Sequence, residues 1–305
     1  MTQQRVRVIG ADNFVGRRVL AALEATGATA AFDGSGDAAS FAPALDGADA
    51  IVNCSIGAPA SILATARRLF AAAARLGTPL RIVHLSSMTV YGTATGRIAE
   101  DGALRGDLGA YSAAQVASEK LAAAYPRAVI LRPGCEYGPD CAQWSRRVAR
   151  WLLARRLGDL REAGVARCNL IHIDDLVAAV LAALTRPGVE GEAFNLADAA
   201  SPSWNRYFAA YAQALGALPL RQVSAARLRL ETRLFAPPLK VAEIVARRFG
   251  LDPDRLPPAI PPSLLQLCRQ DIRLDVSKAE TLLGLRWTPL AEGLRAAASE
   301  FHPGN

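Results

Sequence analysis

Through the first half of the chain, short apolar runs alternate with alanine-rich stretches of helical length. Residues 5–9, 28–32, 50–54, 80–85 and 128–131 have the length and β-branched content of strands. Residues 15–26, 61–76 and 108–124 have the apolar spacing of helices. Strands separated by helices of this length require parallel pairing with right-handed crossovers. The expected fold is therefore α/β: a doubly wound, parallel Rossmann-type sheet. The second half is less regular, with proline at Pro237, Pro238, Pro257, Pro258, Pro261 and Pro262. Such a segment suits a smaller α/β substrate domain or lid. The expected division is residues 1–165 for the dinucleotide-binding domain, with 166–200 partly returning to it, and 201–305 for the substrate domain.

At 305 residues and 51% hydrophobic, the chain has ample material for a core. Net charge is +7, but only Lys120, Lys240 and Lys278 among the 35 basic residues are lysines. That skew spreads over the whole chain, and no base-reading or stacking motif accompanies it, so no nucleic-acid partner is expected. The five cysteines show no Cys-x-x-Cys spacing and no metal site is expected. Neither a signal peptide nor an apolar run of about 18 residues is present, so the expectation is a cytoplasmic protein with no membrane span.

The first strand leads into Gly10-Ala11-Asp12-Asn13-Phe14-Val15-Gly16, which opens the first helix. A glycine turn there exposes backbone N–H groups and the positive helix end to a diphosphate. A dinucleotide fold then needs an acid about 20 residues on, at the end of the second strand. Asp33 stands 23 residues after Gly10, and no arginine neighbours it to neutralise a 2′-phosphate. NAD is thus favoured over NADP. Asn13 occupies a position where glycine is usual. Asparagine tolerates left-handed backbone, so the turn can form, but the side chain is expected to crowd the phosphates.

These motifs continue with Leu85-Ser86-Ser87-Met88-Thr89-Val90-Tyr91-Gly92, Tyr111-Ser112-Ala113-Ala114-Gln115 and Leu131-Arg132-Pro133-Gly134. Ile171-His172-Ile173-Asp174-Asp175-Leu176, Phe194-Asn195-Leu196 and Leu285-Arg286-Trp287-Thr288-Pro289 follow. In order and spacing the chain resembles an extended short-chain dehydrogenase/reductase of the NAD-dependent epimerase/dehydratase family. The resemblance implies a small-molecule substrate and a role for Ser87 as hydrogen-bond donor to the reacting oxygen. It makes Tyr111 the proton-exchanging group, and places Gly10, Asn13, Phe14, Val15, Gly16, Asp33, Ser86, Tyr111, Gln115 and Pro133 along the cofactor. It also implies a homodimer built on the helices 61–76 and 108–124, where small residues permit close approach.

In that family a lysine stands four residues after the tyrosine, on the same helix face. Here the residue is Gln115, which can hydrogen-bond a ribose but brings no charge. A cation about 5 Å away, at an effective dielectric near 20, is worth roughly 3 kcal/mol, or about two pKa units. Without it Tyr111 is expected near its ordinary value of about 10. Three readings stay open: an active enzyme with a weaker base, a cofactor binder without redox chemistry, and a regulatory relative. Met88 and Thr89 stand where sugar 4,6-dehydratases carry an acidic pair, which sets water elimination aside.

Cys135 and Glu136 follow the Arg-Pro-Gly turn, and with Arg167 they are candidates for substrate contact. The arginines between Trp144 and Arg167 read either as a diphosphate cradle or as a solvated face over buried Trp144 and Trp151. Cys168 stands where nucleotide-sugar relatives usually carry arginine. Asp174 and Asp175 are expected to serve a helix start, and His84 and His172 to be structural. The segment 228–249 is expected to pack within the second domain, with a lid or a surface-lying helix as its other readings.

Overall fold

The computed structural model describes residues 4–25, 29–32, 41, 45–250 and 257–301. The chain divides into two compact units. The first comprises residues 1–134, 171–199 and 274–287; the second comprises 135–170, 200–273 and 288–305.

The first unit is built on a six-stranded parallel sheet. From edge to edge its strands are Thr29–Phe32, Val6–Ile9, Ala50–Asn53, Arg81–Leu85, Ala128–Pro133 and Ala193–Leu196. All five pairings are parallel. Alternate residues feed two cores, as the two-residue period of a strand dictates. Val8, Val52, Val83 and Val129 join one core with the helices Phe14–Glu24 and Ile173–Thr185. Ile9, Ile51, Ile82 and Ile130 join the other, with the helices Pro59–Ala73 and Ala110–Ala123. This is the doubly wound Rossmann-type arrangement. The helix expected from residue 61 begins at Pro59, whose fixed φ and missing N–H suit a first helical position.

The second unit centres on aromatic packing. Trp204 lies 5.3 Å from Trp144, 5.8 Å from Phe208 and 6.3 Å from Tyr207, measured between ring centroids. Cys135, Tyr137, Val148, Trp151 and Leu152 are buried in the same cluster as Leu264 and Leu294. Membership of that cluster accounts for the departure from the expected boundary near residue 165. The segment 135–170 buries its apolar side chains with residues 200–273 and 288–305, so it leaves the first unit at Gly134.

The arginines after Trp144 do not share one helix face. The helix Arg147–Leu153 is too short to align them, and several are tied to the unit's own backbone and acids. Arg156 donates to Pro258 O at 2.8 Å and pairs with Glu231. Arg161 reaches Gln222, Arg146 pairs with Glu300, and Arg167 donates to Ser201 O at 2.9 Å. Trp151 is buried as expected, while Trp144 is half-buried.

The segment 228–249 departs from expectation more sharply. Leu228 is buried, but Leu230, Leu234, Val241, Ile244, Val245 and Phe249 are exposed. Among the described residues, no helix is long and apolar enough to cross a membrane.

Candidate functional site

The glycine turn closes between the strand Val6–Ile9 and the helix Phe14–Glu24. Gly10 has φ +75°, and a Cβ there would lie 3.0 Å from the Cys54 carbonyl. At Gly16 a Cβ would lie 2.0 Å from Gly10 O, so no larger residue fits without moving the turn.

Asn13 corrects the sequence reading. Its backbone is extended (φ −85°, ψ 173°), so no left-handed conformation is needed. Its side chain does not stand loose over the turn. Oδ1 accepts from Gly16 N at 2.9 Å as the helix N-cap, and Nδ2 donates to Cys54 O at 2.7 Å.

Beside this turn lies a cavity of about 550 Å³, lined by Gly10, Asp12, Asn13, Ser55, Ser61, Thr65 and Arg68, among others. The residues fit the diphosphate of a dinucleotide. The helix presents its N-terminus with no acid in its first turn, glycine allows close backbone approach, and Arg68 adds a cation. Ser61, Thr65 and Arg68 were missed from sequence. Their spacing on the helix Pro59–Ala73 puts them on one face, which was the available signal. Asp33 lies outside the described residues.

Ser86 and Ser87 follow the strand Arg81–Leu85. Ser87 caps the short 3₁₀ turn Met88–Tyr91, with Oγ accepting from Thr89 N at 3.2 Å. Its own hydroxyl hydrogen remains available to donate. Ser112 Oγ donates to Thr89 O at 2.7 Å, which ties that turn to the start of the helix Ala110–Ala123.

On the same helix Tyr111 is 39% exposed and Gln115 is 1% exposed. Gln115 Nε2 donates to Tyr111 Oη at 3.0 Å. Gln115 Oε1 is buried and accepts no hydrogen bond. An unpaired buried carbonyl costs about 1–3 kcal/mol, so this oxygen suits a donor brought by a ligand.

One turn further along, Glu119 anchors a buried network that sequence reading did not find. Its carboxylate accepts from Ser86 Oγ at 2.6 Å and from Arg132 Nε at 3.0 Å. Arg132 also donates to Tyr91 Oη at 2.6 Å and to Glu100 O at 2.7 Å. Tyr91 in turn donates to Asn195 Oδ1 at 2.6 Å. Glu119 and Arg132 are 2% and 4% exposed. The network fastens the Tyr111–Gln115 helix to the ends of two strands, at Ser86 and at the residue before Pro133. Burial raises the Tyr91 phenol to about 12, so it is a neutral structural partner at ordinary pH.

His84 is structural, as expected. It is buried, bonded to Asn53 Nδ2 at 3.0 Å and packed edge-on against Phe70. Burial lowers its pKa to about 4. His172 caps the helix Ile173–Thr185, with Asp174 and Asp175 in the first turn. Among the described residues no group of His, Cys, Asp or Glu could hold a metal ion.

Cys135, Glu136 and Arg167 belong to the second unit. Burial pushes the Cys135 thiol well above its usual range, which removes it as a nucleophile at neutral pH. Burial also raises the Glu136 carboxyl to about 7. Arg167 is exposed, with its guanidinium on Ser201 O.

A parallel doubly wound sheet with a glycine turn between its first strand and first helix defines a Rossmann-type α/β fold. The sequence profile of the NAD dependent epimerase/dehydratase family matches residues 6–197. The chain belongs to that family, and so to the class of NAD-dependent epimerases and dehydrogenases.

Solved structures share the fold along the whole length. MoeE5 in complex with UDP-glucose and NAD is 20% identical, with 97% of each chain covered and a TM-score of 0.70. UDP-glucuronic acid 4-epimerase from Bacillus cereus, in complex with UDP-glucuronic acid and NAD, is 19% identical. It covers 98% of this chain and 99% of its own, with a TM-score of 0.70. Human epimerase family protein SDR39U1, with NADPH, is 18% identical over 97% and 99%, with a TM-score of 0.73. No curated protein matches the chain.

Proposed function

We propose that this chain is an NAD-dependent epimerase or dehydrogenase acting at a hydroxyl or keto carbon of a nucleotide-linked sugar or another small alcohol. The observation that carries this reading is the bond from Gln115 Nε2 to Tyr111 Oη at 3.0 Å. The residue at the lysine position is still wired to the tyrosine, and its second polar atom is buried and unpaired.

In this reading bound NAD supplies the hydride acceptor. Tyr111 Oη takes the proton of the substrate hydroxyl and returns it after reduction. The Ser87 hydroxyl donates to the reacting oxygen. Gln115 Nε2, by donating to Tyr111 Oη, favours the phenolate that forms, though as a dipole and not a charge. Gln115 Oε1 accepts from a ribose hydroxyl, and Asp33 holds the adenosine ribose. The nucleotide-sugar complexes of two fold neighbours support the substrate class. The spacing of Asp33 from Gly10 supports NAD over NADP, although one neighbour carries NADPH.

The missing cation also favours a second reading, a dinucleotide-binding sensor without turnover. Two measurements separate them: binding of NADH against NADPH, and turnover on a panel of UDP-sugars by parent and Tyr111→Phe. The enzyme reading expects tighter NADH binding and turnover that Tyr111→Phe abolishes. Cofactor binding with no turnover on any alcohol or sugar favours the sensor, and tighter NADPH binding contradicts the role of Asp33.

Homodimerisation belongs to the same proposal. The helices Pro59–Ala73 and Ala110–Ala123 expose small residues at Ala71 and Ala113. A monomer by light scattering contradicts it. The five free, buried cysteines suit a reducing, cytoplasmic setting.

A further inference from the structure

A helix with a stripe of large apolar residues normally turns that stripe inward. The helix Ala236–Arg248 does the reverse. Val241, Ile244, Val245 and Phe249 recur at i, i+3, i+4 and i+8, and are 60%, 57%, 46% and 73% exposed. The side turned inward carries Ala236 and Ala246, at 6% and 7%. Upstream, Leu230 and Leu234 continue the exposed set at 49% and 62%. Half of the large exposed hydrophobics among the described residues thus fall within one stretch of 20 residues, which marks an interaction surface and not scattered exposure.

Charge selects the occupant. Residues 225–250 hold six basic and two acidic residues. One acid, Glu231, is buried against Arg156 and offers nothing outward. Arg227, Arg229, Arg233 and Arg248 are exposed. A second copy seated on this face by two-fold symmetry would set arginine against arginine. A surface that is anionic outside and apolar beneath satisfies both features at once.

We propose that the helix Ala236–Arg248, with the helical segments Ala225–Leu230 and Glu231–Phe235 before it, lies on an anionic lipid surface. Its Val–Ile–Phe stripe enters the acyl boundary and its arginines meet the phosphate headgroups. The long arginine side chains can keep their stems on the apolar face while the guanidinium groups reach the headgroup level. This proposal is independent of the catalytic reading.

The test is flotation of the full-length protein with phosphatidylcholine vesicles, with and without phosphatidylserine. Binding should be at least about tenfold stronger to the anionic vesicles, given the usual contribution of each basic residue near such a surface. The double variant Val241→Ser/Phe249→Ser changes only exposed side chains. It should keep the parent's melting temperature and cofactor affinity and lose vesicle binding. Arg229→Gln/Arg233→Gln should reduce binding to anionic vesicles. Absence of parent binding to anionic vesicles overturns the proposal, as does binding that Val241→Ser/Phe249→Ser leaves intact. A dimer that this double variant dissociates, with no vesicle binding by the parent, assigns the stripe to a second copy and also overturns it.

Discussion

Asn13 and Gln115 are both amides at positions where the sequence resemblance leads one to expect glycine and lysine. Their surroundings differ. Asn13 has both ends of its amide used within the chain, on Gly16 N and Cys54 O. Gln115 has one end on Tyr111 and the other buried without a donor. The first has its side-chain hydrogen bonds made within the chain, as a helix cap and a tie to the neighbouring strand's end. The second is incomplete by one hydrogen bond, which is what the proposed contact with a cofactor ribose would supply.

The largest effect should come from removing the frame around the second amide. Glu119→Leu leaves the Arg132 guanidinium buried without its carboxylate, which costs about 3–5 kcal/mol. Urea unfolding should show that loss, and Arg132→Met combined with it should recover part of the stability. A loss under about 1 kcal/mol would mean that solvent reaches Arg132 and that the network does not fix the site.

The Asn13 side of the comparison predicts a smaller effect, and on stability. Asn13→Ala removes the helix cap and the bond to Cys54 O, for about 1–2 kcal/mol. Asn13→Gly should cost less than alanine at the cap. If either variant loses cofactor affinity with no loss of stability, Asn13 belongs to the binding site after all.

Gln115→Met should do the opposite. It deletes an unpaired buried carbonyl along with one bond to a half-exposed phenol, so the unfolding free energy should move by no more than about 0.5 kcal/mol. NADH affinity should fall by about five- to tenfold, the worth of one hydrogen bond of about 1–1.5 kcal/mol. A stability loss above 2 kcal/mol would place Gln115 with Asn13 as a structural amide.

The sheet was legible because Val8/Ile9, Val52/Ile51, Val83/Ile82 and Val129/Ile130 supply both faces of a buried parallel strand. The Tyr111–Gln115 pair was legible because a helix repeats its face every fourth residue. What failed depended on partners distant in sequence. Glu119 sits four residues after Gln115, but nothing local says that it meets Arg132 on a strand and Ser86 at the end of another. The segment 135–170 reads as continuous with the strand before it until Trp151 and Trp204 are found in one cluster. The helix Ala236–Arg248 carries an ordinary amphipathic stripe, and periodicity alone cannot tell which side faces out.

The central claim is that Tyr111 is the proton-transfer group and that Gln115 supports it without charge. The direct measurement is turnover of NAD(H) by parent and Gln115→Lys from pH 6 to 10. An ammonium beside Tyr111 Oη favours the phenolate, so the tyrosine pKa falls and the base is present at lower pH. The variant should therefore gain activity at pH 7, by up to about 100-fold for two pKa units, and its profile should shift toward acid. Activity lowered by Gln115→Lys, or a profile that does not move, would contradict the account and place the proton transfer elsewhere.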